Sequence, residues 1–157
     1  MPALERPPTR PVEAPAHPAA TAGPFDANGL RVLDRAECLR HLGATTFGRI
    51  ALTVGALPVV LPVNYRLVGE QIVLRTTPGT KLDTAANASV VAFEIDGVDP
   101  VAHTGWSVMV TGTAHVVEDP AALDRCRAAG VPRWAASGDE RFVAIDTELL
   151  TGRSLER

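Results

Sequence analysis

Thr46-Phe-Gly-Arg-Ile-Ala-Leu-Thr-Val54 is followed by Gly55-Ala56, then by Pro58-Val-Val-Leu-Pro-Val-Asn-Tyr-Arg-Leu67, then by Gly69-Glu70 and Gln71-Ile-Val-Leu-Arg-Thr76. All three runs are rich in β-branched and aliphatic residues, and only turn residues separate them. A parallel pair of strands needs a crossover of a dozen residues or more, and neither junction has room for one. The three strands therefore pair antiparallel as a hairpin and its extension.

Outward from this meander the pattern alternates between short helices and further strands. Upstream, Asp34-Arg-Ala-Glu37 has capping-box spacing ahead of an apolar pattern at Ala36, Leu39, His41 and Leu42, so a short helix starts there and ends at Gly43. Downstream, Thr80-Lys-Leu-Asp83 repeats that spacing and opens a helix to about Ala88. Ser89 to Asp96 alternates as a strand. A loop with Gly97 and Pro100 leads to the longest strand, Gly105 to Val117. In it Trp106, Val108, Val110, Ala114 and Val116 share one face, and Ser107, Thr111, Thr113 and His115 the other. Asp119-Pro120 begins another helix ending at Gly130, Arg141 to Ile145 is a strand, and a last extended segment lies near Gly152. Closely spaced strands with a few short helices predict a mainly β protein, an antiparallel barrel with peripheral helices.

Residues 1–28 hold seven of the thirteen prolines and little aliphatic surface, which predicts a disordered Pro/Ala-rich tail ahead of one domain over residues 29–157. The formal charge is −3 and no block of Lys or Arg occurs, which argues against nucleic acid as a partner. The two cysteines, Cys38 and Cys126, form no CxxC pair and no zinc spacing, so they read as reduced, partly buried thiols. No run is long enough to span a membrane and no signal peptide is evident, so a cytoplasmic protein is expected.

Leu74-Arg-Thr-Thr-Pro-Gly-Thr-Lys-Leu82 carries the chemistry. A strand end delivers Arg75 and Thr76, a Pro-Gly turn reverses the chain, and a capped helix begins at once with Lys81. Free N–H groups at a helix start attract an anion. Arg75 grips phosphate oxygens through its fork, Lys81 adds a compact charge, and the Thr76 and Thr80 hydroxyls complete a cradle. The alternative from local sequence is an ordinary strand-turn-helix joint with solvated basic residues. Asn64, within Leu61-Pro-Val-Asn-Tyr65, is an amide in an apolar strand; it needs a partner, either backbone or the polar rim of a planar ligand. Trp106 lies in the apolar register, where core packing competes with stacking on a ligand ring.

Phe47-Gly-Arg-Ile-Ala51, Pro62-Val-Asn-Tyr65, Arg75-Thr76 with Gly79-Thr-Lys81, Phe93-Glu-Ile-Asp96 and Gly105-Trp-Ser-Val108 together resemble the pyridoxamine 5′-phosphate oxidase-like superfamily. More narrowly, they resemble its flavin-binding, nitroimidazole-resistance-type branch. The resemblance spans roughly Leu30 to Leu155. It implies a six-stranded split barrel, a homodimer, and two FMN sites in the cleft between subunits. It assigns the phosphate to Arg75 and Lys81 and the flavin ring to the strand segment Pro62, Val63 and Asn64. Trp106 and Ser107 would approach that ring from the partner chain.

Pyridoxamine phosphate oxidases proper end in a basic, aromatic-rich segment. Glu148 to Arg157 has no equivalent, so vitamin B6 oxidation is not expected. Related branches bind deazaflavin or haem. Haem needs an axial ligand, for which His41, His103 and His115 are the available histidines outside the tail. The resulting expectation is an FMN-dependent oxidoreductase using a small acceptor or donor, with a nicotinamide as possible hydride source and no nominated acid-base residue. A non-catalytic flavin carrier or sensor and a cofactor-free interaction domain are the alternatives.

Overall fold

The computed structural model describes residues 24–80, 82–83, 88–132 and 140–156. Among these the strands are β1 (Arg31–Leu33), β2 (Phe47–Val54), β3 (Leu57–Val68), β4 (Gln71–Thr76), β5 (Ser89–Asp99), β6 (Thr104–Val116), β7 (Arg141–Asp146) and β8 (Leu149–Leu155). The helices are α1 (Arg35–Ala44) and α2 (Pro120–Ala128). The Asp34–Glu37 capping box forms as expected: the Asp34 carboxylate accepts the Glu37 N–H and the Glu37 carboxylate accepts the Asp34 N–H. Of the helix expected from Thr80 to Ala88, Leu82 and Asp83 are helical, while Lys81 and residues 84–87 lie outside the described residues.

The meander forms as expected, β2 pairing with β3 and β3 with β4 in antiparallel fashion. Gly55 and Ala56, both at positive φ (55° and 64°), make the tight turn between β2 and β3, a backbone conformation matching the twist of a two-residue hairpin. The sheet order is β1-β8-β6-β5-β2-β3-β4-β7, and β6 also pairs with β7. That last pairing closes β2 through β7 into a six-stranded antiparallel barrel.

Closure occurs on a divided edge. From Gly105 to Thr111, β6 pairs with β8; from Ala114 to Val116 the same edge pairs with β7. The barrel wall splits between these stretches, at Gly112. A Cβ there would stand 1.8 Å from the Asp146 carbonyl oxygen, where the chain leaves β7 and crosses to β8. Only glycine lets the two backbones approach so closely.

The barrel is filled by fully buried side chains, among them Ile50, Tyr65, Ile72, Phe93, Val110 and Ile145. Tyr65 is the polar member of this set. Its hydroxyl donates to the Leu42 carbonyl at 2.8 Å and also bonds the Thr45 hydroxyl, tying the end of α1 to the barrel. Burial pushes its pKa up to about 12, so it stays protonated. Tyr65→Phe is expected to lower stability by about 1–2 kcal/mol, read in urea unfolding, because the Leu42 carbonyl loses its donor in a buried setting.

The folded part starts earlier than the expected boundary at residue 28. The Pro24 carbonyl accepts the Val32 N–H, Phe25 bridges to Arg31, and the Asp26 carboxylate accepts Arg153 Nε–H at 2.9 Å. The Asp26 carboxylate and the backbone of Pro24 and Phe25 supply this docking, the Phe25 side chain being exposed; the rest of the predicted tail, residues 1–23, lies outside the described residues. Cys38 and Cys126 are both buried and unpaired, and burial pushes the Cys38 thiol up to about 11, which makes it unreactive. Among the described residues no helix is long and apolar enough to cross a membrane.

Candidate functional site

Strand alternation sorts the candidate residues of β4. Ile72 and Leu74 face the barrel core, whereas Val73 packs with Cys126, Val131 and Phe142 in a second apolar cluster alongside Leu123 of α2. Period two then sends Arg75 to the outer side with Val73, and Thr76 to the side of Leu74. The Arg75 guanidinium lies 5.4 Å from the ring centroid of Phe142, its cross-strand partner. Its Nη1 donates to the Val131 carbonyl at 3.1 Å and its Nη2 pairs with the Glu140 carboxylate. Its Nε–H is buried with no acceptor among the described residues.

The register carries this outward row around the barrel. Tyr65 pairs with Leu74, so one further step sets Asn64 beside Arg75. Asn64 pairs with Phe47, and two steps on from Arg49↔Glu94 Phe47 faces Asp96, which pairs with Ser107. Arg75, Asn64 and Ser107 therefore belong to one outward-facing row. Asn64 is half-buried, and among the described residues no hydrogen bond involves its side chain. The partner anticipated for it is thus not a protein group of the described residues. Pro62 is exposed on the same face, opposite Arg49.

The remaining candidates stand apart from this row. Val63 is a core residue, 8% exposed. Trp106 stacks on His41 at 4.0 Å between centroids and lies against Gly97, so its indole is committed to the α1 side and turned away from Ser107. The Thr76 and Thr80 hydroxyls bond each other at 2.7 Å on the opposite side of β4 from Arg75. Lys81 lies outside the described residues.

Two functional candidates escaped the sequence reading. Arg141 opens β7 opposite Thr76, and its Nη1 donates to Asp83 Oδ1 at 2.6 Å. Glu140, one residue earlier, holds Arg75. Neighbouring charges at a strand start were the only sequence signal, and nothing local names their partners. Half of the Thr80 capping box forms: Thr80 Oγ1 accepts the Asp83 N–H at 3.2 Å, but Asp83 Oδ2 accepts the N–H of Gly79 at 2.8 Å, while the Thr80 N–H donates to the Thr77 carbonyl.

The Gly79 N–H, followed by the Arg141 guanidinium, lowers the Asp83 pKa below the ordinary carboxylate value. A carboxylate depressed in the folded chain stabilises it fully above the unfolded pKa, and that contribution fades as pH falls through the folded one. Carboxyl-carbon NMR is therefore expected to show Asp83 titrating below the usual range, with the Arg141 contact intact at pH 5. Beside these groups a cavity of about 590 Å³ opens between β7, the end of β6 and α2, lined by Leu123, Arg127, Glu140, Arg141 and Phe142 among others.

A closed six-stranded antiparallel barrel that shares one strand edge with an added pair of strands is a split barrel. The chain belongs to the pyridoxamine 5′-phosphate oxidase family, whose sequence model matches residues 34–154. It is 38% identical over 136 residues to the uncharacterized protein Rv0080 of Mycobacterium tuberculosis, covering 83% of this chain and 89% of that one. It also resembles the solved structure of an FAD binding protein from Mycobacterium smegmatis, with 33% identity, a TM-score of 0.71, and 80% and 99% of the two chains covered. A FAD-binding protein from Mesorhizobium loti, 24% identical with a TM-score of 0.67 over 81% and 99% of the chains, shares the fold.

Proposed function

We propose that this chain is a flavoprotein that binds FMN in a cleft between two copies of itself, and that it works as an oxidoreductase. The observation that carries this reading is the outward pair on β3 and β4. Arg75 has a buried Nε–H without acceptor, and beside it Asn64 has an amide without a protein partner among the described residues. A phosphorylated planar ligand supplies what both lack: phosphate oxygens for Arg75 and ring acceptors and donors for Asn64.

Bound flavin supplies two-electron redox chemistry at its ring. The chain's own groups bind and orient. Arg75 holds the phosphate, with Lys81 as the second cation carried over from the family pattern. Asn64 fixes the ring edge and Pro62 lies along its face. Asn64 and Ser107 are three strand spacings apart along the barrel wall, about 14 Å at most. The family pattern brings Ser107 to the ring from a second copy.

The outer sheet face supports such pairing. Val60, Val90, Met109 and Leu149 are 64%, 69%, 47% and 59% exposed on this face; Val60 pairs with Ala51 and Ala51 with Ala92, while Met109 lies beside Glu94 and its Arg49 ion pair. Exposed aliphatic residues gathered on one face mark an interaction surface. Sedimentation at micromolar concentration is expected to give twice the chain mass; a monomer counts against the shared cleft.

The deciding experiment is the absorbance spectrum of the purified protein, followed by titration with FMN. A flavin spectrum or micromolar binding supports the reading, and colourless protein that ignores added FMN defeats it. A second reading, FAD in place of FMN, is favoured by the 33% identical Mycobacterium smegmatis protein, which is an FAD binding protein. Parallel titration with FAD separates the two. Steady-state oxidation of NADH or NADPH by the loaded protein distinguishes an enzyme from a carrier.

A further inference from the structure

We infer that Glu140 is a built-in competitor for the phosphate anchor: it occupies Arg75 in the free chain and must let go when a phosphorylated ligand binds. This rests on the reading of Arg75 as that anchor. One edge of a guanidinium presents Nε–H and an Nη2–H in parallel, the geometry that takes two oxygens of one phosphate. Glu140 engages only the Nη2 end of that edge, and the Nε end stays buried without an acceptor. The pair is therefore an incomplete fork. An oxyanion presenting two oxygens satisfies both donors, which Glu140 in this position does not.

The rest of the surroundings keep Arg75 ready for the exchange. Nη1 remains on the Val131 carbonyl and the guanidinium rests over Phe142, so its position does not depend on Glu140. Arg75 and Glu140 side chains are 22% and 25% exposed, buried enough for the charge pair to matter and open enough for Glu140 to swing away. Glu140 and Phe142 both line the adjacent cavity, which gives the released carboxylate room. The consequence is an opposed pair of effects: the contact that steadies the free chain is the contact that ligand binding must give up.

Glu140→Gln removes the competing charge while keeping size. Its expected result is about tenfold tighter FMN binding than wild type by calorimetry, with riboflavin affinity equal in the two chains because riboflavin has no phosphate. Millimolar inorganic pyrophosphate is expected to raise the melting temperature of Glu140→Gln more than that of wild type. Arg75→Gln should abolish both gains. Glu140→Asp, which keeps the charge but shortens its reach, should move both readings the same way by a smaller step, and it serves if the glutamine variant folds poorly. Equal FMN affinity in wild type and both variants, together with equal pyrophosphate shifts, overturns the proposal. If neither chain binds any flavin but the pyrophosphate difference is present, the competitor stands and the flavin reading falls.

Discussion

Replacing Gly112 by alanine is expected to cost more than about 3 kcal/mol, lowering the melting temperature by over 10 °C or preventing folding. The added methyl would meet the Asp146 carbonyl oxygen at 1.8 Å and its carbonyl carbon at 2.9 Å. A flexible side chain could yield, but both atoms are backbone at the end of β7, where the chain turns toward β8. Relief requires either β6 or β7 to move, and each carries a ladder. Ala114, His115 and Val116 of β6 pair with Val143, Ala144 and Ile145 of β7, and this short ladder is what closes the barrel. Differential scanning calorimetry of the variant checks the effect. A melting temperature within a few degrees of wild type would show that the split does not need this close approach. Gly43, whose added methyl would sit 3.9 Å from Leu67, is the matched control and should tolerate alanine with little loss.

Arg75→Ala is expected to weaken FMN binding about a hundredfold while changing riboflavin affinity much less. Two charge-assisted hydrogen bonds to one phosphate, each worth roughly 1.5–3 kcal/mol, are lost together. The variant also takes the Arg75 cation away from Glu140, a partly buried carboxylate near the incoming phosphate, so repulsion adds to the lost attraction. The double variant Arg75→Ala with Glu140→Gln isolates that second part: it should recover some affinity over Arg75→Ala alone. Stability must be read alongside, because Arg75 also donates to the Val131 carbonyl and covers Phe142. Equal loss of FMN and riboflavin binding would mean that the change damaged the fold rather than the anchor.

Much of the architecture was legible in the chain. Most strand limits fell within a residue of where alternation and turn residues put them, as in Phe47–Val54 and Gln71–Thr76, but β5 runs on through Gly97 to Asp99, where a loop was expected. The Asp34–Glu37 cap formed because both of its bonds lie within four residues. Less of the site was legible. Arg75 and Asn64 lie side by side on the outer face of the barrel, whereas Val63, Thr76 and Trp106 lie on the other side of their strands. Placing Arg75 and Thr76 in one cradle ignored the alternation that separates them, whereas the alternation of Trp106 and Ser107 onto opposite faces was read from the sequence. Gly112 had a signal that went unused, a glycine inside the longest strand, where close backbone approach is a standing explanation.

The sequence by itself determined the local grammar: which runs extend, which residues turn or cap, and which face of each strand is apolar. Those features depend on backbone torsions and on side chains a few positions apart, so they are written into short segments. Only the tertiary structure decided that β6 offers one edge to two strands, and that Arg75 meets Val131 and Glu140, 56 and 65 residues away along the chain. Pairings at such separations arise from closing the barrel, and no local preference encodes which distant carboxylate a guanidinium will meet.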